Sequence, residues 1–468
     1  MQTPKEFVSA NRDKMLRDIK RLVDINSIKG EPELHAPYGM GVRRTEMEAM
    51  KIAAELGFSK VRDCEGYIAY AHMGDEEKFL GVIAHADVVP VGDGWFSDPF
   101  CMIEKEGYLV GRGVSDDKGP LIAGLYACKY LMENNIPLKY GVRVLIGCDE
   151  ECGMSDVDYY LSKYPAPVFT FSPDAGFPVC HGEKGIYSSD LVSPAIENGK
   201  IKYIFGGLAS NVVPDVCTVK LAGVDAAAVK AAAEGKGCYT VAEEDGMVVV
   251  TAAGKASHAG SPWNAVNANL LALQLLLDAN VLEGSELAAV KFMCAVMLDM
   301  SGSFLGIAAE DGKFEKNSII GGMIRLREDS RIVLNTNSRY NTAIAPADIE
   351  ANIEQKAAQF GFTVENVSNS RPVYLAPDSP AVKLMTDIYN DVTGDNAKPY
   401  TMSGGTYARK LPNAVAFGIG MGADEAEEDA PEWVGSAHMK NEAVKIDTIM
   451  KATEIYIQSL IKLQEVEF

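Results

Sequence analysis

The sequence predicts an α/β fold, in which a mostly parallel sheet forms one domain and an α+β module is inserted into that domain. Mostly apolar runs such as Val142–Ile146 alternate with helical segments in the first part of the chain, and such strands are typical of parallel sheets covered on both faces. From about residue 187 alternating strands replace them, and the α/β pattern resumes near residue 381.

The length of the chain also indicates two domains. A chain of 468 residues exceeds what one hydrophobic core usually supports. The changes of pattern place the boundaries: residues 1–186 and 381–468 form the two parts of the α/β domain, and residues 187–380 form the inserted domain.

The elements of the α/β domain follow from local patterns. "MQTPKEFVSANRDKMLRDIKRLV" predicts an amphipathic helix, and "RRTEMEAMKIAAELG" predicts a second one that stops at Gly57. The stretch "LIAGLYACKYLMEN" predicts a third helix among strand-like runs. Those runs are "GYIAYAHM", "KFLGVIAHADVV", "GVRVLIGCDE" and "APVFTFSPDAG".

The inserted domain mixes strands and helices. Runs such as "KIKYIFGG", "VCTVKLAG" and "GMVVVTAAGKASHA" predict strands, and "GGMIRLREDSRIVLNTNSRYN" predicts an antiparallel hairpin. Helices are predicted for "DAAAVKAAAEG", "NAVNANLLALQLLLDAN" and "PADIEANIEQKAAQFG". This content predicts an α+β domain.

The charge balance argues against two classes of partner. Lys and Arg number 44 against 65 Asp and Glu, a net charge of −21, which disfavours binding to nucleic acid or anionic membranes. The N-terminal stretch is not a basic segment followed by an apolar one, and apolar runs such as "FLGVIAHADVVPV" are too short to span a bilayer. Nine cysteines without a C-x-x-C pair indicate reduced thiols. We therefore expect a cytoplasmic protein.

Three successive carboxylates raise a question of charge. Asp149, Glu150 and Glu151 follow the apolar run Val142–Ile146. Like charges this close raise one another's pKa unless a cation or protons neutralise them. Either the three side chains face water on a loop, or a positive group lies among them.

Other polar residues also follow apolar strands. His85 and Asp87 are two apart, so they point to the same side of a strand, and Asp174 follows another apolar run. Because ligands gather at the carboxyl ends of parallel strands, we expect these residues near the carboxylate triplet. Taken alone, the H-x-D pattern also fits an ordinary core or surface histidine.

The stretch "GRGVSDDKGP" leaves two interpretations open. Asp116 and Asp117 precede a predicted helix, where carboxylates often cap free backbone N–H groups. The surrounding glycines can equally form a loop that exposes a functional side chain.

Five motifs in order resemble the co-catalytic zinc exopeptidase superfamily, which contains glutamate carboxypeptidase, aminoacylase, succinyl-diaminopimelate desuccinylase and the PepV-type dipeptidases. The motifs are H-A-D, G-R-G-x-x-D-D-K-G-P, D-E-E-x-G, S-P-D-A and G-x-A-H-x-x-N-E, and they span His85 to Glu442. The motif sequence "GRGVSDDKGP" and the large insert are most similar to those of the PepV-type dipeptidase branch. The resemblance implies a catalytic domain with residues 187–380 as a lid.

The resemblance implies a site for two divalent metal ions per chain. Zinc is the expected metal, with manganese or cobalt as alternatives, because imidazole and carboxylate ligands suit these ions. Asp116 would bridge the two ions, and Glu150 would be the general base. The other implied ligands are His85 and Asp174 for one ion, and Glu151 and His438 for the other.

Two further features come with the resemblance. The Asp87 carboxylate would accept the far N–H of His85 and so fix its tautomer. A cis peptide bond is expected between Asp116 and Asp117. Asp149 matches none of these roles, and we interpret it as supporting or solvated.

The inserted domain would contribute contacts to the substrate. His258 matches the lid histidine of the family, which helps stabilise the tetrahedral oxyanion, and Asn211 matches a lid position that contacts substrate. Arg339 would bind a free C-terminal carboxylate. The family usually has Asp and Pro around this arginine, whereas this sequence has Asn337 and Asn341.

A glycine-rich stretch, "SGGTYARKLPN", matches a substrate loop of the resembled branch. Its candidate binding residues are Gly404, Gly405 and Thr406. A plain glycine turn is the alternative interpretation.

The implied reaction is hydrolysis of the peptide bond of unblocked dipeptides. We expect an active monomer whose lid covers the site, with a dimer as the alternative. The nearest rival reaction is deacylation of N-acyl amino acids by the same dinuclear site. A binding or scaffold protein with a dead hydrolase fold is a third interpretation, and the complete ligand set together with Glu150 argues against it.

Overall fold

The computed structural model describes residues 2–420 and 430–468. The chain divides into two compact units. The split unit comprises Met1–Gly182, Tyr374–Tyr400 and Gly405–Phe468. The inserted unit comprises Glu183–Val373 and Thr401–Gly404. Its function as a lid stays a prediction.

The helices of the described residues alternate with strands along most of the chain. In the split unit they are α1 Pro4–Val23, α2 Met40–Glu55, α3 Lys118–Glu133, α4 Ser155–Lys163, α9 Pro380–Thr393 and α10 Ile446–Lys462. In the inserted unit they are α5 Ala226–Ala233, α6 Ala268–Asp278, α7 Gly284–Leu298 and α8 Pro346–Gln359. Short 3₁₀ turns span Glu150–Cys152, Tyr407–Lys410 and Leu463–Glu465.

The helix termini show why the sequence predictions succeed for most helices. The Thr3 side chain caps α1 and the Glu6 side chain bonds back to the Thr3 backbone, which is a capping box. Helix α2 ends just before Gly57, whose φ is +101°. Sequence analysis did not predict α4 or α7. The residues of α7 are apolar on nearly all sides, so its sequence lacks the amphipathic pattern that marks a surface helix.

The strands are also assigned by unit. From the N-terminus to the insertion they are β1 Lys60–Cys64, β2 Ile68–Met73, β3 Phe79–His85, β4 Ile103–Lys105, β5 Tyr108–Val110, β6 Gly141–Gly147, β7 Phe169–Ser172, β8 Ala175–Gly176 and β9 Cys180–Glu183. Within the insertion they are β10 Gly185–Val192, β11 Ile201–Gly206, β12 Val212–Val213, β13 Val216–Leu221, β14 Tyr239–Glu244, β15 Met247–Ala253, β16 Ser257–His258, β17 Ser318–Leu326, β18 Ile332–Tyr340 and β19 Thr363–Ser370. The remaining strands are β20 Val373–Tyr374, β21 Tyr400–Met402, β22 Ala414–Ala416, β23 Ile419–Gly420 and β24 Ala443–Lys445.

The main sheet of the split unit has a parallel centre. Its strand order is β1-β2-β6-β3-β7-β22-β9-β20, with β21 beside β9. Strands β6, β3, β7 and β22 pair in parallel, whereas β1, β2 and β9 pair antiparallel to their neighbours. All seven residues of β3 are buried. The α/β prediction is confirmed, and the antiparallel strands are confined to the flanks.

The register of the parallel strands brings their carboxyl ends to one edge. His85 at the end of β3 lies beside Gly147 at the end of β6. Val82 of β3 pairs with Phe171, one residue before the end of β7. Segments that leave β3, β6 and β7 therefore start from the same edge of the sheet.

The inserted unit contains an eight-stranded sheet in the order β14-β15-β13-β11-β17-β18-β10-β19, and its neighbouring strands pair antiparallel. The predicted hairpin forms β17 and β18, with Arg327 and Arg331 bonded across its turn. A core that includes residues of α6, α7 and α8 packs with residues of this sheet. The α+β prediction for this unit is confirmed.

Among the residues described, no helix has both the length and the apolar character that crossing a membrane requires.

Candidate metal centre

One group of possible ligands forms at the carboxyl edge of the parallel strands. His85, Asp116 and Asp174 each place a ligand atom within 4.8 Å of the others. The His85 Nε2 atom lies 2.8 Å from Asp116 Oδ1, and the His85 side chain is fully buried. His85 ends β3 and Asp174 follows β7, so the sheet itself positions two of the three side chains.

A second group shares the same aspartate. Asp116, Glu151 and His438 also place ligand atoms within 4.8 Å of one another. His438 Nε2 lies 2.9 Å from Asp116 Oδ2 and 3.2 Å from Glu151 Oε1. The two oxygens of Asp116 therefore face different groups, Oδ1 towards His85 and Oδ2 towards His438. This is the arrangement that a bridging carboxylate needs.

The side chains of this centre carry an excess of negative charge. Burial, and then repulsion from Asp174, raise the pKa of Glu150 well above its ordinary value. Burial raises the pKa of Asp87 to about 6. The hydrogen bonds of His438 to Asp116 and Glu151 raise its pKa to about 10. Carboxylates in such a cluster need protons or cations to neutralise them, and imidazole and carboxylate donors fit divalent zinc, manganese or cobalt.

His85 is held mainly by the backbone of Asp87. The distance from His85 Nδ1 to the main-chain oxygen of Asp87 is 2.9 Å, whereas the distance to its carboxylate Oδ1 is 3.6 Å. The Asp87 carboxylate instead accepts hydrogen bonds from the backbone N–H groups of Glu150 and Glu151, each at 3.2 Å. Asp87 therefore contacts both the ring of one candidate ligand and the turn that carries another.

The acidic run leads into a 3₁₀ turn that contains Glu150 and Glu151. Among the residues described, the buried Glu150 Oε1 atom has no hydrogen-bond partner. An unpartnered buried oxygen of this kind is typical of a site that binds a further group. Asp149 lies within hydrogen-bond distance of Lys29 Nζ at 2.6 Å and accepts from the Ser155 hydroxyl at 2.6 Å. Its side chain supports the turn.

The segment Asp116–Asp117 does not serve as a helix cap. Asp117 directly precedes α3, but its side chain makes no capping hydrogen bond. Its Oδ2 atom accepts the backbone N–H of His85 at 3.2 Å instead. The peptide bond between Asp116 and Asp117 is cis, which confirms that prediction.

Three predicted residues lie in the inserted unit. Strands β12 and β16 pair His258 with Val212, so Asn211 lies next to this pair, and its carbonyl accepts the N–H of Ala259. The His258 Nδ1 atom accepts the N–H of Gly260 at 3.2 Å. Arg339 donates to Asn337 Oδ1 at 3.1 Å and to the carbonyl of Ser403 at 3.0 Å.

A cavity of about 310 Å³ in the inserted unit includes His258 in its wall. Its lining carries both signs of charge, from Lys184 and Glu315, and it ends on the segment Thr401–Gly404. Lys184 is 1% exposed and donates to the carbonyl of Lys316. The cavity thus combines a histidine, a cation and a carboxylate, and sequence analysis had not singled out Lys184 or Glu315.

The glycine-rich stretch divides between the units. Gly404 lines the cavity of the inserted unit. The Arg409 side chain packs closely against Gly405, since a Cβ at this position would lie 2.3 Å from Arg409 Cζ. Thr406 is buried and its hydroxyl caps the turn Tyr407–Lys410 by accepting the N–H of Ala408. A role of these residues in substrate binding stays a prediction.

Two anchoring carboxylates were missed by sequence reasoning. Asp156 accepts the N–H groups of Cys148 and Asp149 and the hydroxyl of Tyr407, so it fixes the start of the acidic run. Glu442 belongs to the last quoted motif but had no role assigned to it. The motif itself was the signal that could have found Glu442.

Comparisons with known proteins identify the family. The model of peptidase family M20/M25/M40 matches residues 81–462. A Bacillus subtilis (strain 168) protein named "Putative dipeptidase YtjP" is 29% identical over 97% of this chain and 98% of its own length. A Staphylococcus epidermidis protein named "Putative dipeptidase" is 32% identical over 98% of this chain and 99% of its own length.

Solved structures agree on the fold. The dipeptidase Dug1p of Saccharomyces cerevisiae aligns with a TM-score of 0.60 at 13% identity, over 99% of this chain and 98% of that one. At this identity the likeness concerns the fold alone.

Proposed function

This chain belongs to peptidase family M20/M25/M40 and is a metallopeptidase, and we propose that it is a dipeptidase that hydrolyses unblocked dipeptides. The observation that carries the proposal is the shared carboxylate: Asp116 presents one oxygen to His85 and the other to His438. Beside it, Glu150 offers a buried oxygen without a hydrogen-bond partner among the described residues. The relatives named as dipeptidases support the substrate class.

The proposed centre binds two divalent ions. His85, Asp116 and Asp174 would hold one ion, and Asp116, Glu151 and His438 the other. Zinc suits this donor set best, and manganese or cobalt would also fit. When bound, such a pair would supply Lewis-acid activation of a water molecule and polarise the scissile carbonyl.

Glu150 is the proposed general base. Its carboxylate would take the proton of the attacking water and return it to the leaving amine, which is typically worth about 10²–10⁴ in rate. The turn Glu150–Cys152 places Glu150 and Glu151 side by side, so one can bind metal while its neighbour transfers protons. The Asp87 carboxylate would hold this turn by accepting the backbone N–H groups of Glu150 and Glu151, and the Asp87 main-chain oxygen would orient the His85 ring.

The inserted unit would bind the rest of the substrate. His258 would donate a hydrogen bond to the developing oxyanion, and Arg339 would bind the C-terminal carboxylate. A carboxylate that meets the substrate's free amine would favour dipeptides over N-acyl amino acids, and Glu315 supplies one in the cavity that contains His258. The other proposed substrate contacts are Asn211, Gly404, Gly405 and Thr406. One chain would carry the complete site, so a monomer could be active.

The test compares three substrates. Chelator-stripped protein is supplied with zinc, manganese or cobalt, and release of free amino acid is measured from a dipeptide, its N-acetylated form and a tetrapeptide. Metal-restored cleavage of the dipeptide alone supports the proposal. Cleavage of the acetylated compound alone would assign the protein to the deacylases, and no cleavage with any metal would overturn both assignments.

A variant tests the part assigned to the inserted unit. His258→Ala should lower turnover by about 10²–10³, as the loss of one oxyanion donor typically does, without changing the amount of bound metal. His35→Asn is the control, because His35 is an exposed histidine of the split unit with φ of +58°, which asparagine tolerates. Wild-type turnover in His258→Ala would exclude this role.

A further inference from the structure

A buried carboxylate outside the two ligand groups lies where they meet. Glu442 is 0% exposed. Its Oε1 atom accepts the backbone N–H groups of Gly113, Ser115 and Asp116, at 3.1, 3.0 and 3.3 Å. The Ser115 hydroxyl donates to the same oxygen at 3.0 Å. One carboxylate therefore organises the loop that carries the shared ligand Asp116.

Arg112 connects this carboxylate to the segment that carries His438. Its Nη1 atom donates to Glu442 Oε2 at 2.6 Å, and its Nη2 atom donates to the main-chain carbonyl of His438 at 3.3 Å. Arg112 is 1% exposed, and its guanidinium lies 5.3 Å from the centre of the Trp95 ring. The planar guanidinium can bind two partners in fixed directions, so the pair joins two loops that are far apart in sequence.

Both loops need external support for their conformation. His438 has a φ of +66° and Asn441 a φ of +56°, a left-handed conformation that non-glycine residues rarely adopt. Gly113 has a φ of +86°, and a Cβ there would lie 2.8 Å from Val88 Cγ1. Such conformations persist where the surroundings hold them, and here the Arg112–Glu442 pair supplies contacts to both loops.

We propose that Glu442 is a positioning residue for the second group of ligands, Asp116, Glu151 and His438. Its carboxylate fixes the backbone at Asp116 directly and the backbone at His438 through Arg112. Replacing the carboxylate by an amide would turn an N–H₂ group towards N–H donors, and the loops that carry Asp116 and His438 would lose their common anchor. This inference rests on the proposed two-ion centre.

The chain offers a matched control. In the split unit, Arg43 pairs with the buried Glu46, also at 2.6 Å, and the Arg43 side chain is 13% and the Glu46 side chain 0% exposed. The Glu46 carboxylate accepts a hydrogen bond from Arg43, and neither residue is a candidate ligand. Glu46→Gln therefore removes a buried arginine-bound carboxylate without touching the loops of the centre.

The experiment is a calorimetric titration of chelator-stripped wild type, Glu442→Gln and Glu46→Gln with manganese(II). Manganese binds more weakly than zinc, which keeps both binding steps measurable. Glu442→Gln should weaken one of the two steps by about 10–100-fold, the usual effect of losing a partner that supports a ligand. The other step should weaken less, because the two groups share Asp116 but only one contains His438. Glu442→Gln should also need a correspondingly higher manganese concentration than wild type to reach its half-maximal turnover.

The outcomes separate this inference from the proposed function. A wild type that binds fewer than two ions would contradict the two-ion centre itself. A wild type that binds two ions, with Glu442→Gln binding both equally well, would overturn only the role of Glu442. Equal weakening in Glu46→Gln would also overturn it, because general destabilisation would then explain the loss.

A second variant decides the matter if Glu442→Gln does not fold. Ser115→Ala removes one donor to the Glu442 carboxylate and leaves its charge partner in place. It should weaken the same binding step in the same direction, by less than the amide variant does. Wild-type affinity for both ions in Ser115→Ala would then overturn the inference.

Discussion

The two ligand groups share one carboxylate but differ in how the fold holds them. His85 is fully buried at the end of a central parallel strand. His438 is 53% exposed and lies on a loop with a left-handed backbone. An ion held by the buried histidine would be shielded from water and from competing ligands, whereas one held by the exposed histidine would exchange more readily. A shared ligand therefore does not make two sites equivalent.

The largest expected effect separates catalysis from metal binding at two neighbouring residues. Glu150→Gln should lower turnover by about 10²–10⁴, because the proton acceptor is lost, while both ions remain bound. Turnover and metal content are measured on the same sample. The adjacent Glu151→Gln is the control, and it should lose metal as well as activity. Loss of metal in Glu150→Gln would mean that both glutamates are ligands.

The next prediction addresses the buried and exposed histidines directly. In wild type, a chelator should remove the two ions in two phases, the faster one from the group that contains His438. His438→Ala should abolish the faster-removed ion and retain the slower one, whereas His85→Ala should abolish the slower one. In each alanine variant, the affinity for the affected ion should fall by more than the 10–100-fold that is typical when a residue supporting a ligand is lost.

The readout for that prediction is metal content followed over time after addition of the chelator. A single phase in wild type, or identical profiles in both alanine variants, would contradict the difference between the two groups.

The smallest effect is a pH dependence. Bonds to Asp116 and Glu151 raise the pKa of His438 to about 10, so this imidazole carries a proton at neutral pH and metal must displace it. If binding of the ion at His438 displaces one proton, its affinity should therefore fall about tenfold for each pH unit below the pKa of His438. The dependence should continue up to pH 9, which calorimetry in a series of buffers can measure.

The comparison with an ordinary histidine makes this prediction decisive. If the pKa of His438 were about 6.5, as in an ordinary histidine, the affinity for the ion that it binds would level off above pH 7.5. A plateau there would show that the bonds of His438 to the carboxylates do not hold its proton.

Sequence patterns predicted the carboxyl edge of the sheet because the signal is local. The apolar runs that became β3, β6 and β7 each end at, or within three residues of, a candidate ligand or base. The resemblance to known motifs then added Asp116 and His438, which no strand pattern marks. What could not be predicted are contacts between distant segments.

The anchors of the centre are of this distant kind. Arg112 and Glu442 are 330 positions apart, and Lys29 and Asp149 are 120 apart. In the sequence, each of these residues resembles an ordinary charged residue, because only the tertiary fold brings the two partners of a pair together. The turn at Glu150 was likewise missed, since an acidic run after a strand does not indicate whether the chain stays extended or begins to coil.

The short segment Thr401–Gly404 belongs to the inserted unit, although it lies well beyond Glu183–Val373 in the chain. It lines the cavity that contains His258, and Ser403 accepts a hydrogen bond from Arg339. A chimaera that exchanges only the long segment between two relatives would thus combine cavity walls of different ancestry. Successful grafts should require both segments, and over evolution the two should diverge as one module.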